Sequence, residues 1–170
     1  ELTDKKEIGD QKKMLEGIIR FGDETVKDIM TSRLNMVMLD IHAPYSHVLK
    51  CAEENAYSRI PVYGKTQDDI RGVLYIKDLI PHLNKTDNFR WQTLLRQPFF
   101  VPETKKIDDL LCDFQTVKVH MAMVVDEFGG ISGLITLEDI IEEIVGEIND
   151  EFDEPERSYE LLADNVYLFD

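Results

Sequence analysis

The spacing of apolar residues along the chain changes repeatedly, and each change predicts an element. Met14, Leu15, Ile18 and Ile19 recur at helical spacing among charged neighbours and stop at Gly22, which predicts an amphipathic leader helix. Thr25-Val26-Lys27-Asp28 has the spacing of a capping box and opens a short helical turn through Ile29 and Met30. Beyond it the pattern predicts a short strand at 36–39, a helix over about 44–56, strands at 59–63 and 72–75, and a helix opened by Ile76-Lys77-Asp78. The same order then returns: strand 99–101, helix 106–117, strands 121–125 and 131–135, and a helix opened by Leu137-Glu138-Asp139.

The two runs register at an offset of about 62 residues: Leu39 matches Val101, Leu49 matches Leu111, Ser58 matches His120 and Asp78 matches Asp139. A β-α-β-β-α duplication predicts an α/β (α+β) fold in which two copies pack about a pseudo-two-fold axis. Repeats this short do not complete a core alone, so the seam between them is the natural place for a ligand. The expected division is a leader over 1–24, a first unit over 25–83, a connection over 84–97, a second unit over 98–154, and a linker over 155–170 that starts a further domain. An apolar alternation at 161–169 and a first residue other than Met lead us to expect a piece of a longer chain.

The formal net charge of -15 repels nucleic-acid phosphate and anionic lipid, so no nucleic-acid partner is expected. No stretch nears the roughly 18 to 20 apolar residues that cross a bilayer, and the charged start does not read as a signal peptide. Cys51 and Cys112 are too few for a disulfide framework and fit a reducing compartment. Over 138–154 the chain carries nine carboxylates and no Lys or Arg, while Ile140, Ile141, Ile144, Val145 and Ile148 form an apolar stripe. This predicts an acidic amphipathic helix.

Two apparent motifs dissolve on inspection. Gly64-Lys65-Thr66 lacks the earlier glycine of a phosphate-binding P-loop, because position 59 is Arg, and a polar hairpin loop explains it. Asp126-Glu127-Phe128-Gly129-Gly130 lacks the alternating oxygen ligands of a calcium loop and reads as a turn. His42, His47, His82 and His120 show no paired metal spacing, and no Ser, Cys or Lys sits in a nucleophile motif. Neither a metal site nor a catalytic residue is predicted.

Tyr57-Ser58-Arg59-Ile60-Pro61-Val62 in the first copy and Gly133-Leu134-Ile135-Thr136-Leu137-Glu138-Asp139 in the second resemble the CBS-domain family, in which two tandem copies make one disk-like module. The resemblance covers about 25–148. Asp28-Ile29-Met30-Thr31, Phe100-Val101-Pro102-Glu103-Thr104 and Val125-Asp126-Glu127-Phe128-Gly129-Gly130 are similar to the CorC or haemolysin C-like subfamily of magnesium and cobalt efflux proteins.

The resemblance implies an adenine-nucleotide site, for ATP or a relative of it with magnesium. Thr136 would face phosphate and Asp139 the ribose hydroxyls, with Glu138 between them. Tyr57, Ser58, Arg59, Ile60 and Pro61 would border the adenine and phosphates, and Thr31 joins the set. The physics agrees: a helix start favours an anion, and a carboxylate accepts from both ribose hydroxyls. Thr136 and Asp139 also have capping-box spacing, which needs no ligand. Tyr75 stands where Thr136 does, so one site per module is expected rather than two. The resemblance further implies a homodimer through the module's helices, a membrane domain in the same parent chain, and a place on the cytoplasmic side of the inner (plasma) membrane. The role would be regulatory rather than enzymatic; the alternative is a ligand-free dimerisation or docking platform.

Overall fold

The structure, a computed structural model, describes residues 22–152 and, ahead of them, residues 5, 6, 9, 11 and 12. The leader-helix positions at 14–19 and the tail at 155–170 lie outside the described residues. α1 (Val26–Ile29) and β1 (Thr31–Ser32) precede the repeats. The first repeat comprises β2 (Leu39–Asp40), α2 (Tyr45–Glu54), β3 (Arg59–Tyr63), β4 (Ile70–Tyr75) and a 3₁₀ turn, Ile76–His82. A second 3₁₀ turn, Trp91–Leu94, leads to β5 (Phe100–Pro102), α3 (Ile107–Val117), β6 (Met121–Val125), β7 (Ile131–Thr136) and α4 (Leu137–Phe152).

Both repeats build the same sheet. β2 lies parallel to β3, with Leu39 opposite Val62, and β3 is antiparallel to β4. Likewise β5 lies parallel to β6, with Val101 opposite Val124, and β6 is antiparallel to β7. Even the irregularity is duplicated, since register shifts fall between Val62 and Tyr63 and between Val124 and Val125.

The lead-in segments are exchanged. β1, which precedes the first repeat, pairs antiparallel with β7 of the second, placing Thr31 opposite Leu134 and Ser32 opposite Gly133. Arg96, which precedes the second repeat, bridges to Val73 of β4 in the first, with N–H to O distances of 2.9 and 3.0 Å in the two directions. Val26 from α1 is fully buried in the second half's core with Ile107, Leu110 and Ile135. The first half's core gathers Leu39, Val48, Ile60 and Leu74 around Trp91, whose indole N–H donates to the Ala43 carbonyl at 2.8 Å. A third cluster, Ile70, Val73, Met121, Met123 and Ile131, draws on β4, β6 and β7 and joins the halves.

Three departures from the expected elements have local causes. The helix expected at Ile76 is a seven-residue 3₁₀ turn, because Pro81 inside it has no N–H to continue the ladder. The first strand starts at Leu39 rather than at 36, behind a 3₁₀ turn at Arg33–Asn35. Part of the polar connection is core and sheet, through Trp91 and Arg96.

The exchange works only where the receiving strand has no side chain. A methyl group at Gly133 would fall on the Thr31 carbonyl oxygen and stand 3.0 Å from Met30 Sδ. At the equivalent Gly72 it would meet Leu95 Cβ at 2.9 Å and the Arg96 carbonyl at 3.0 Å. Gly133→Ala is therefore expected to lower stability by about 1–3 kcal/mol, the cost of overpacking. Urea unfolding checks this: an unchanged midpoint would show that β1 does not press on β7.

Candidate functional site

β7 runs into α4 without a loop, Thr136 ending the strand and Leu137 opening the helix. The junction is held by a reciprocal pair. The Thr136 backbone N–H donates to Asp139 Oδ2 at 3.0 Å, and the Asp139 N–H donates to Thr136 Oγ1 at 3.2 Å. Both members of the expected phosphate and ribose pair thus satisfy each other as a capping box, while lying on the wall of a cleft of about 260 Å³.

Arg59 reaches this junction from β3 in the other half. Its Nη1 and Nη2 donate to Glu138 Oε2 and Oε1 at 3.2 and 3.0 Å, and Nη2 lies 3.1 Å from His120 Nδ1. The Arg59 side chain is only 11% exposed, and its Nε is buried with no acceptor. A planar fork with an unused donor, held out of water, is well suited to an oxyanion. Burial pushes the Glu138 carboxyl up, but the hydrogen bonds and charge of Arg59 outweigh it and leave Glu138 below its usual value.

Of the residues singled out in the sequence, Thr31, Tyr57, Ser58, Arg59, Pro61, Thr136, Glu138 and Asp139 all line this cleft. Ile60 does not, and its assignment is corrected: it is 0% exposed in the first half's core. Successive strand residues face opposite ways, so Arg59 and Pro61 face the cleft only if Ile60 turns from it. Asn35, Met36, Val37, Ala56, Met121 and Leu134 also line the cleft and were missed. Leu134 was within reach of the sequence, being two residues before Thr136 on the same face of β7.

A second cleft of about 690 Å³ opens beside the first, with Ala56, Tyr57, Ser58 and Arg59 shared between their linings. By the repeat, its lining residues Tyr75 and Lys77 are the counterparts of Thr136 and Glu138, and Asp78, next in sequence but outside the lining, is the counterpart of Asp139. The chemistry differs. Asp78 is clamped by Arg96, Nε to Oδ2 and Nη2 to Oδ1 both at 2.9 Å, and the Arg96 guanidinium lies 4.0 Å from the Tyr75 ring centroid. The hydrogen bonds from Arg96 hold Asp78 below the usual aspartate range.

The model of the CBS domain matches residues 26–85 and 93–146, one match to each repeat. The chain belongs to the CBS-domain family. Its CBS pair is 44% identical over 146 residues to the magnesium and cobalt efflux protein CorC of Escherichia coli, covering 85% of this chain and 50% of that protein. It is 39% identical over 160 residues to haemolysin C of Brachyspira hyodysenteriae, covering 94% and 59%. The chain thus spans half or somewhat more of these relatives. Among solved structures, the CBS domain of a bacterial CNNM/CorC family Mg²⁺ transporter in complex with ATP is 41% identical, with a TM-score of 0.75 over 80% of this chain and 97% of that one. A CBS-domain pair with bound AMP from Klebsiella pneumoniae is 32% identical, with a TM-score of 0.64 over 72% and 98%. The tandem CBS fold and the kinship with CorC and haemolysin C-like proteins, expected from the motifs, are therefore shown.

Because the folded CBS pair holds Glu138 below its usual 4.5, the stability this group contributes is present above pH 4.5 and lost as pH falls through the lower folded value. Glu138→Gln has no such titration. Urea midpoints of wild type and variant should run parallel down to pH 4.5 and converge below it, as the wild type alone loses this contribution. Parallel curves throughout would mean that Arg59 does not hold the carboxylate.

Proposed function

We propose that this CBS pair is the regulatory module of a CorC-type membrane protein that exports magnesium or cobalt, and that it senses adenine nucleotide, as Mg-ATP, in the cleft between its halves. The observation that carries the reading is the convergence of Thr136 and Asp139 from one half with Arg59 from the other on a single cleft. The relatives point the same way, being an efflux protein and CBS domains solved with ATP or AMP. The cleft volume is near the lower end of ligand pockets, roughly 300 Å³, which suits a nucleoside with its phosphates reaching the rim.

In this reading the apolar side chains Met36, Val37, Met121 and Leu134 receive the purine, and Asp139 accepts from the ribose hydroxyls. Phosphate takes the place of Glu138 on Arg59 and uses the unfilled Nε–H, so the nucleotide competes with an internal carboxylate for one fork. Binding then favours the arrangement in which Arg59 has left Glu138, and only that difference in affinity moves the equilibrium. α4, whose first turn holds the displaced Glu138, carries the change to a second copy of the module and to a membrane domain of the parent chain. The module would sit on the cytoplasmic side of that membrane; among the described residues no helix is long and apolar enough to cross one. No cluster of carboxylates, His or Cys fit to hold a metal occurs among the described residues, so magnesium enters as the partner of the phosphates.

Titration calorimetry with ATP, ADP and AMP, with and without magnesium, tests the reading. ATP should bind, Thr136→Ile should abolish binding, and Asp139→Ala should weaken it about tenfold or more, the worth of a hydrogen bond to a charged group. Circular dichroism of both variants checks that the capping box has not been lost along with the fold. No heat from any nucleotide would sink the sensor and leave the module a docking platform.

A further inference from the structure

The second cleft has the opposite electrostatic character from the first. Arg59, Lys77, Arg96, Lys118 and His120 line it, and no Asp or Glu does, in a chain with 34 acidic and 19 basic residues. Lys77 occupies the position that Glu138 occupies in the other repeat, so duplication has placed a cation where the first cleft has an anion. Three of these cations surround one ring, with Arg96, Arg59 and Lys77 at 4.0, 5.6 and 5.6 Å from the Tyr75 centroid. Like charges gathered this closely repel; the carboxylates of Asp78 and Glu138 pair directly with the two arginines, and Lys77 feels Asp78 through its charge without a direct contact. Lys77 and Lys118 take part in no ion pair among the described residues.

Lys118 adds an independent sign. It caps α3 with a left-handed backbone, φ 60° and ψ 43°, the only residue other than glycine among the described residues to do so. Glycine ordinarily fills this position because it has no Cβ to crowd the following carbonyl. Here the strained position keeps a long cation on the rim of the cleft.

We propose that the second cleft is a phosphate-binding site, taking a di- or triphosphate group through Lys77, Lys118 and Arg96 and making no use of a ribose. Sugar recognition is lost because Arg96 already occupies Asp78, the counterpart of Asp139, and Tyr75 replaces the threonine. The phosphate chain has two possible sources. One is a free inorganic polyphosphate; the other is the tail of a nucleotide seated in the first cleft and crossing at Arg59. With a free anion the site does not depend on the nucleotide reading of the first cleft; with a nucleotide tail it rests on that reading.

The test is calorimetric titration of the whole chain with inorganic tripolyphosphate at low salt, for wild type, Lys77→Ala/Lys118→Gly and Thr136→Ile. Lys118→Gly removes the cation while relieving the left-handed backbone, so its effect does not come from unfolding. Wild type and Thr136→Ile should bind alike, the double variant about tenfold or more weaker, and all should weaken as salt screens the charges. Absence of binding to wild type, or equal binding by the double variant, would overturn the proposal. Two further titrations identify the source. ATP weakened by the double substitution with AMP unaffected marks the nucleotide tail, and tripolyphosphate binding undiminished by saturating AMP with ATP unaffected marks a free anion. Loss of AMP binding by wild type would count against the first cleft alone.

Discussion

The rest of this molecule depends on the close backbone contact of β1 with Gly133 and of Arg96 with Gly72. Each repeat holds three strands of its own, with one α-helix in the first and two in the second, too little to bury both faces of its sheet, and each borrows the segment that precedes the other. The exchange fixes the halves against each other at two places related by the repeat. A polar tie adds to it: Asp68, in the loop between β3 and β4, accepts from Arg33 Nη1 at 2.5 Å and from the Ile131 N–H at 2.9 Å. With the seam set, β3 of one half meets the β7–α4 junction of the other, and side chains 79 positions apart, Arg59 and Glu138, form one site.

Much of this was legible in the sequence, for definable reasons. Strand alternation, the capping-box spacing of Thr136 with Asp139 and the offset of Ser58 from His120 are local or periodic signals, and they located both sheets and most of the cleft wall. What escaped was non-local or rested on a single residue. Nothing in the residues around Thr31 says that β1 crosses to the second sheet, because its partner lies about a hundred positions on. Trp91 is one apolar residue in a polar stretch, without period, yet its indole closes the first core. Ile60 was grouped with its cleft-facing neighbours because a conspicuous motif spans five residues, whereas a strand shows only alternate ones to any face. The clamp of Arg96 on Asp78 joins a supposed connection to a supposed ligand residue, and only the folded chain brings them together.

Arg59 forms part of the wall between the clefts, and its donors are divided. Two face Glu138, one of these also faces His120, and Nε faces no acceptor. Removing such a guanidinium from water is costly unless its donors are filled, so the incomplete set is a standing preference for an additional acceptor. Any anion that takes Arg59 from either side alters what the other side sees. If both clefts are occupied as proposed, they are linked through Arg59, and such a linkage is reciprocal: whatever one occupant does to the affinity for the other, the second does equally to the first.

Duplication made the clefts alike in backbone, but their exits differ. After β7 the chain continues as α4, a helix of 16 residues, whereas after β4 it makes a seven-residue 3₁₀ turn with Pro81 inside. Glu138 lies in the first turn of a long helix, whereas Lys77 lies in a short turn whose Leu79 is buried. The acidic first turn of α4 sharpens the contrast. Glu138 and Asp139 complement the helix dipole, so a phosphate arriving there must compete with charges already in place. On the proposed reading, that competition makes occupancy of the first cleft a change at the start of the helix rather than a simple addition to it, and so makes the first cleft, not the larger second one, the place where a nucleotide would be converted into motion.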